Sequence, residues 1–184
     1  TERKKADKNK PFIPFASTKN QLIPEFLPIG SQRLVRQTSS THGTDGYITT
    51  DPDQIFKMQE RLGAKLKEAV SNFAFFDEYP VPEADTLVVA YGVTARAAKA
   101  AVKKLQHSDY PASLLILKTI WPVPEGLIRE KAAPFKRVVI AEMNLGQYVR
   151  ELQRLLPDKK IDFLGQMNGE LIKPGQIKEM VLNG

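Results

Sequence analysis

Three short apolar runs decide what this chain can become. Thr86 to Tyr91 (TLVVAY), Ser113 to Leu117 (SLLIL) and Arg137 to Ala141 (RVVIA) are nearly continuous in apolar residues, with little polar alternation. A strand with one face in water alternates apolar with polar side chains. A continuous run suits a strand covered on both faces, as in a parallel sheet sandwiched between helices. The intervening stretches supply those helices. Beyond Gly92, residues Ala98, Ala101, Val102 and Leu105 share one helical face; Glu125 to Ala133 follows Pro124 as a short helix; Asn144 to Leu156 turns Tyr148, Val149, Leu152 and Leu155 inward. Ile161 to Leu164 reads as a fourth strand, Asn168-Gly169 as a tight turn, and Pro174 to Val181 as a last helix. The expected fold class is α/β, three layers about a mostly parallel sheet.

Upstream the pattern differs. In Thr50-Asp51-Pro52-Asp53-Gln54, Asp51 reads as an N-cap, Pro52 as the first helical residue and Gln54 as the residue closing a capping box. Ile55, Met58, Leu62, Leu66, Ala69, Val70 and Phe73 then recur at helical spacing, which predicts one amphipathic helix of about 20 residues. Pro11 to Gly46 shows no period. It carries Pro11, Pro14, Pro24 and Pro28, with Phe12, Phe15, Leu22, Phe26 and Leu27 as scattered anchors. This reads either as an extended arm lying across a surface or as a linker. A chain of 184 residues has room for one domain of about 130 residues and a tail. The division expected is an arm or linker at 1–46 and an α/β domain at 47–184 that begins with the amphipathic helix.

Composition closes off several function classes. No run approaches the roughly 18 apolar residues of a membrane helix, and Thr1 to Lys10 is too polar for a signal peptide, so a cytoplasmic chain without a membrane partner is expected. The absence of cysteine excludes disulfides, thiolate nucleophiles and cysteine-ligated clusters within this polypeptide. The net charge of +6 is uneven: residues 1–50 hold eight Lys/Arg against four Asp/Glu, and the rest is nearly balanced. A basic tail with Arg3, Lys4, Lys5, Lys8 and Lys10 reads as a solvated end, and no nucleic-acid partner is expected.

Ligands of open parallel sheets sit beyond the strands' C-terminal ends. Three such junctions are legible: Tyr91-Gly92-Val93-Thr94, Lys118-Thr119-Ile120-Trp121-Pro122 and Glu142-Met143-Asn144-Leu145-Gly146-Gln147. Gly92 supplies a tight turn. Asn144 can cap the following helix with Gln147 answering at N3. Trp121, among apolar neighbours, suits core or interface better than a stacking platform. No catalytic signature accompanies them. Gly92 lacks the further glycines of a dinucleotide fingerprint, there is no P-loop Lys-Ser/Thr pair, and His42 and His107 lie far apart with no nucleophile motif or metal-ligand spacing. No catalytic, cofactor-binding or metal-ligating residue is assigned.

Four blocks in order carry a resemblance: Asp45-Gly46-Tyr47-Ile48-Thr49-Thr50-Asp51-Pro52; Ala84 to Gly92 with Thr94-Ala95-Arg96; Leu117 to Pro124 (LKTIWPVP); and Glu142 to Gln147 (EMNLGQ). Across roughly residues 42 to 182 the chain resembles the alpha subunit of 2-oxoacid:ferredoxin oxidoreductases, closest to the 2-oxoglutarate type. Thr41-His42-Gly43-Thr44 stands where relatives often show a His-Asp-Glu run, and Val93 where a Ser is expected.

The resemblance implies a transketolase C-terminal-like domain, and a chain that is a separated C-terminal part of such a subunit, inactive alone. In that family the remaining alpha-subunit domain and the beta subunit hold thiamine diphosphate. The beta subunit adds magnesium and a 4Fe-4S cluster, and coenzyme A and ferredoxin are served by the assembled complex. This chain's implied share is scaffold and subunit contact. Gly92, Lys118, Trp121, Asn144, Gly146 and Gln147 are the candidate contacts to coenzyme A or to another subunit. Two other readings stay open: a stand-alone assembly or regulatory module, and the C-terminal domain of a different thiamine-dependent enzyme.

Overall fold

The structure, a computed structural model, describes residues 3–184. Residues 1 and 2 of the expected basic arm lie outside the described residues. Contacts divide the chain into two compact units, one ending at Ala69 and one running from Val70 to Gly184.

In the first unit, the proline-interrupted stretch forms three isolated bridges and no strand among the described residues: Lys5 with Phe26, Thr18 with Gln21, and His42 with Ile48. Four prolines without ladder N–H groups prevent longer pairing. Helix α1, Pro52–Phe73, follows and crosses into the second unit. Its start is half as expected. Asp51 Oδ1 accepts from the Gln54 N–H at 2.9 Å. The return bond from Gln54 is absent, because the Asp51 N–H donates instead to Thr49 Oγ1 at 3.1 Å. The apolar stripe of α1 is not a core: no residue of the helix is buried, and Leu66 is exposed.

The second unit is the sandwich that the apolar runs predict. Strands β1 (Phe76–Tyr79), β2 (Thr86–Tyr91), β3 (Ala112–Leu117), β4 (Arg137–Glu142) and β5 (Lys160–Gly165) form one sheet in the order β1-β3-β2-β4-β5. The β3–β2, β2–β4 and β4–β5 pairs are parallel. Helices α2 (Thr94–Leu105), α3 (Glu125–Ala132), α4 (Tyr148–Leu155) and α5 (Pro174–Leu182) complete it.

Pleating sends alternate side chains to opposite faces. Val88, Ala90, Leu114, Val139 and Ala141 pack with Ala98, Ala101 and Leu105 of α2 and with Ile177 and Val181 of α5. Leu87, Val89, Leu115, Leu117, Val138 and Ile140 pack with Ile128 of α3 and with Leu152 and Leu155 of α4. Both faces are covered, which is why the strands read as continuous runs.

Strand β1 was not anticipated. It is antiparallel to β3, pairing Phe76 with Leu117 and Tyr79 with Leu114, and its sequence FDEY is no apolar run. An edge strand tolerates charge, and here the charge is answered: Asp77 pairs with Lys118 and Glu78 with Lys131. Near the opposite edge, the Arg137 guanidinium is held by Asp162 and donates to the carbonyls of Val181 at 2.7 Å and Met180 at 2.6 Å. A cation thereby caps the C-terminal end of α5.

Because Leu152 is fully buried between α4 and the sheet, Leu152→Ala should lower the unfolding free energy by about 2–5 kcal/mol in urea titrations. The same truncation at exposed Leu171 should change it by about 0.5 kcal/mol or less.

Candidate functional site

The strand order reverses direction between β2 and β4, so the crevice that parallel α/β sheets offer to ligands lies at the C-terminal ends of these two strands. β2 ends at Tyr91. Gly92 follows with φ of +58°, a left-handed conformation that turns the chain toward α2. β4 ends at Glu142, which is 1% exposed.

Glu142 is the centre of this junction. Its carboxylate accepts hydrogen bonds from the Tyr148 and Val149 N–H groups, both at 2.8 Å, from the Tyr91 hydroxyl at 2.7 Å and from Asn144 Nδ2 at 2.9 Å. The first two donors are free N–H groups of the first turn of α4, where the helix dipole also favours negative charge. Asn144 Nδ2 donates to Tyr91 Oη as well, at 2.9 Å, and closes the triangle. The helix N-terminus that such folds commonly turn toward a ligand's anion is thus filled by the protein's own carboxylate.

This corrects the predicted cap. Asn144 does not start the helix: its Oδ1 accepts from the Gly146 and Gln147 N–H groups at 2.8 and 2.9 Å, forming a turn ahead of α4. Gly146 has φ of +86°, and a Cβ there would stand 3.1 Å from Val149 Cγ1, so helical geometry cannot extend back through it. Gln147 precedes the first helical residue without a side-chain cap bond.

The surroundings alter the two phenols. Burial, reinforced by the hydrogen bond to Glu142, pushes the Tyr91 hydroxyl up to about 12. Burial, followed by the charges of Glu151, Tyr91 and Glu142, also raises Tyr148 well above the ordinary phenol range. The two rings meet edge to face with centroids 5.6 Å apart. Among the described residues, Tyr148 Oη is the one buried side-chain polar atom with no hydrogen-bond partner.

The structure therefore brings Gly92, Asn144, Gly146 and Gln147 to the β2–β4 junction, and sets Lys118 and Trp121 one strand away, beyond β3. The Lys118 ammonium is 2.6 Å from Asp77 Oδ1. Trp121 is no core residue; it is 74% exposed. Around this edge the loops after β2, β3, β4 and β5 present exposed Val93, Ile120 with Trp121, Leu145 and Met167. His107 is exposed after α2, and His42 belongs to the first unit.

Tyr91, Glu142 and Tyr148 were not singled out as site residues. The available signal was an acid directly continuing a buried run (VVIAE) two residues before Asn144, a position where a carboxylate needs several donors to be tolerated.

An open, mostly parallel α/β domain with a self-satisfied polar junction at its switch point is the class of protein that fold and site define. The pyruvate:ferredoxin oxidoreductase core domain II family matches residues 84–177, just over half of the chain. The chain belongs to this family.

Similar proteins agree. The 2-oxoglutarate synthase subunit KorA of Methanothermobacter thermautotrophicus is 28% identical over 173 residues, 93% of this chain and 46% of its own length. KorA of Archaeoglobus fulgidus is 32% identical over 151 residues, 81% of this chain and 41% of its own. The chain thus spans less than half the length of these curated relatives. Its fold is that of part of the 2-oxoglutarate:ferredoxin oxidoreductase from Magnetococcus marinus, with a TM-score of 0.82 at 20% identity, covering 98% of this chain and 32% of that one. The resemblance carried by the four sequence blocks is borne out at the level of the family and of its subunit relatives.

Two outcomes follow from the phenols. Replacing Tyr148 by Phe removes an unpaired buried hydroxyl, so stability in urea should hold or rise by up to about 1 kcal/mol. For Tyr91, the folded state keeps its proton to about 12 and the unfolded chain loses it near 10. Its contribution is therefore fully present below pH 10 and lost as pH rises toward 12. The fall in unfolding free energy across that window should be shallower in Tyr91→Phe than in the unmodified chain.

Proposed function

We propose that this chain is the transketolase C-terminal-like part of the alpha subunit of a thiamine-dependent 2-oxoacid:ferredoxin oxidoreductase, of the 2-oxoglutarate type. In the assembled cytoplasmic complex, a 2-oxoacid, coenzyme A and oxidised ferredoxin become an acyl-CoA, carbon dioxide and reduced ferredoxin. This chain contributes scaffold and subunit contacts and not the cofactor chemistry.

The observation that supports this division of labour is the saturation of Glu142. A catalytic carboxylate must reach a reacting atom, and this one already accepts from four donors of its own chain. The residues do not fit the family's metal cofactors either. The chain has no cysteine to ligate a cluster, and among the described residues no group of three or more His, Cys, Asp or Glu side chains is placed to hold a metal ion. Thiamine diphosphate, magnesium and the 4Fe-4S cluster are accordingly assigned to the remaining alpha-subunit domain and the beta subunit.

The exposed apolar rim supports the docking role. Large apolar side chains grouped at one edge of a domain mark an interaction surface, and Trp121 is of the residue type that anchors interfaces. Gly92 and the Asn144–Gln147 turn shape the loops that carry the rim. Lys118 is the cation nearest in role to a coenzyme A contact, but its charge is already opposed by Asp77, which favours its subunit-contact reading.

The test is co-purification of the chain with the rest of the alpha subunit and the cysteine-bearing beta subunit. The unmodified chain should be retained in stoichiometric amount, and Trp121→Ser with Leu145→Ser should weaken retention at least ten-fold with an unchanged circular dichroism spectrum. Thiamine diphosphate bound tightly by the isolated chain, or turnover of a 2-oxoacid by it alone, would sink the reading.

A further inference from the structure

A second feature lies wholly within the first unit and is independent of the oxidoreductase reading. A cavity of about 340 Å³ is lined by Phe15, Ser17, His42, Thr44, Lys57 and Arg61, with Gly43, Gln54 and Met58 completing it. That volume falls in the range of small-ligand sites.

One wall is a small hairpin. Thr41 and Thr49 exchange hydrogen bonds, the Gly43 N–H donates to the Tyr47 carbonyl at 3.0 Å, and Gly46 turns the chain at φ of +82°. The opposite wall is α1, which places Gln54, Lys57, Met58 and Arg61 on adjacent turns. The walls are closely fitted: a Cβ on Gly43 would come within 2.8 Å of Gln54 Oε1. Phe15 ties in from the arm, its N–H donating to the Thr44 carbonyl at 2.9 Å and its ring lying 3.9 Å from the buried His42 ring.

The charged side chains that line this cavity are all basic. Two cations and an imidazole line it, and no carboxylate does among the described residues. Arg61 is partly buried, enough that desolvation lowers its affinity for its proton. Its Nη1 donates to the Leu22 carbonyl at 3.2 Å, and neither it nor Lys57 has an ion-pair partner among the described residues. A partly desolvated guanidinium without a counter-ion is costly, and an anion entering the cavity would relieve that cost. His42 Nδ1 lies 2.9 Å from the Gly43 carbonyl; the proton of that bond sits on Nδ1, which leaves Nε2 as an acceptor that a protonated phosphate oxygen can donate to. The hairpin carboxylate, Asp45, accepts from the Tyr47 N–H; it is not part of the lining, but its Oδ1 stands beside Gly43, 3.1 Å from where a Cβ on that residue would be, so it is the acid nearest the cavity wall.

We infer that this cavity binds a phosphate group. Donors line it from three elements: Lys57 and Arg61 from the helix, Thr44 from the hairpin, and Ser17 from the arm. That arrangement suits the tetrahedral oxygens of phosphate better than a planar carboxylate, which a single bidentate fork would satisfy. The cavity has room for more than one phosphate, and Phe15 and Met58 supply apolar lining for the organic part of a phosphate ester.

Isothermal titration of the full chain with inorganic phosphate, against sodium chloride at matched ionic strength, tests this. Saturable 1:1 binding of phosphate and not chloride is expected, weakened at least ten-fold in Lys57→Gln and in Arg61→Gln and unchanged in Lys104→Gln on α2. If Arg61→Gln loses its fold with its tie to Leu22, the exposed Lys57 decides the matter. Phenyl phosphate binding more tightly than inorganic phosphate identifies an organic ester as the ligand; equal affinity identifies free phosphate. Absence of saturable phosphate binding, equal heats with chloride, or affinity retained in the folded Lys57→Gln chain would overturn the assignment.

Discussion

Burying one carboxylate organises the business end of the α/β unit. An ion of this size costs several kcal/mol to remove from water, and it is retained only where hydrogen bonds replace the lost solvent. Glu142 gets two from the first turn of α4, one from Tyr91 on β2 and one from Asn144 in its own loop. Charge-assisted bonds of this kind contribute about 1.5–3 kcal/mol each. The same four bonds fix the start of α4, tie the ends of two neighbouring parallel strands together and consume the anion-binding capacity of the crevice. Gly146 is a consequence: only a residue at ease in the left-handed region lets the loop fold back tightly enough for Asn144 to brace the carboxylate.

Behind that junction the architecture follows from two-sided burial. Val88 on β2 sits between Leu114 on β3 and Val139 on β4, and Val89 between Leu115 and Ile140, so the middle of the central strand has apolar neighbours in register. Polarity returns toward the edges. β1 carries Asp77 and Glu78, and β5 carries Asp162 under the Arg137 guanidinium. The gradient from apolar centre to charged margin is what keeps an open sheet from pairing with other sheets.

How much of this was legible follows the same gradient. TLVVAY, SLLIL and RVVIA are decided by local composition, and those strands formed within a residue of the spans read from them. FDEY was missed because an edge strand owes its conformation to a neighbour, here β3, and not to its own burial. The start of α4 was misplaced for a related reason: Asn144 and Gln147 satisfy a local capping rule, whereas the residue that caps the helix lies six positions before Tyr148 on another element. Long-range hydrogen bonding also assembled the Tyr91–Glu142–Asn144 triangle, from residues 51 and 53 positions apart. The candidate residues Gly92, Asn144, Gly146 and Gln147 met at one junction because strand ends are readable. The acid that governs them was not, because its role depends on which strands are neighbours.

The exposed apolar surface bears on what such a fold is for. A 22-residue helix gains little from propensity alone and is normally held by the packing of its apolar face, yet nothing on α1 is buried and Phe56 and Leu66 face solvent. In the α/β unit the loops beyond all four parallel strands do the same with Val93, Trp121, Leu145 and Met167. Here the buried acid Glu142 is held by four donors of its own chain, and the loops around it expose large apolar side chains. A partner laid against that edge would bury the exposed apolar rim, whereas Tyr148 Oη, enclosed within the domain, stays unpaired whether or not the rim is covered.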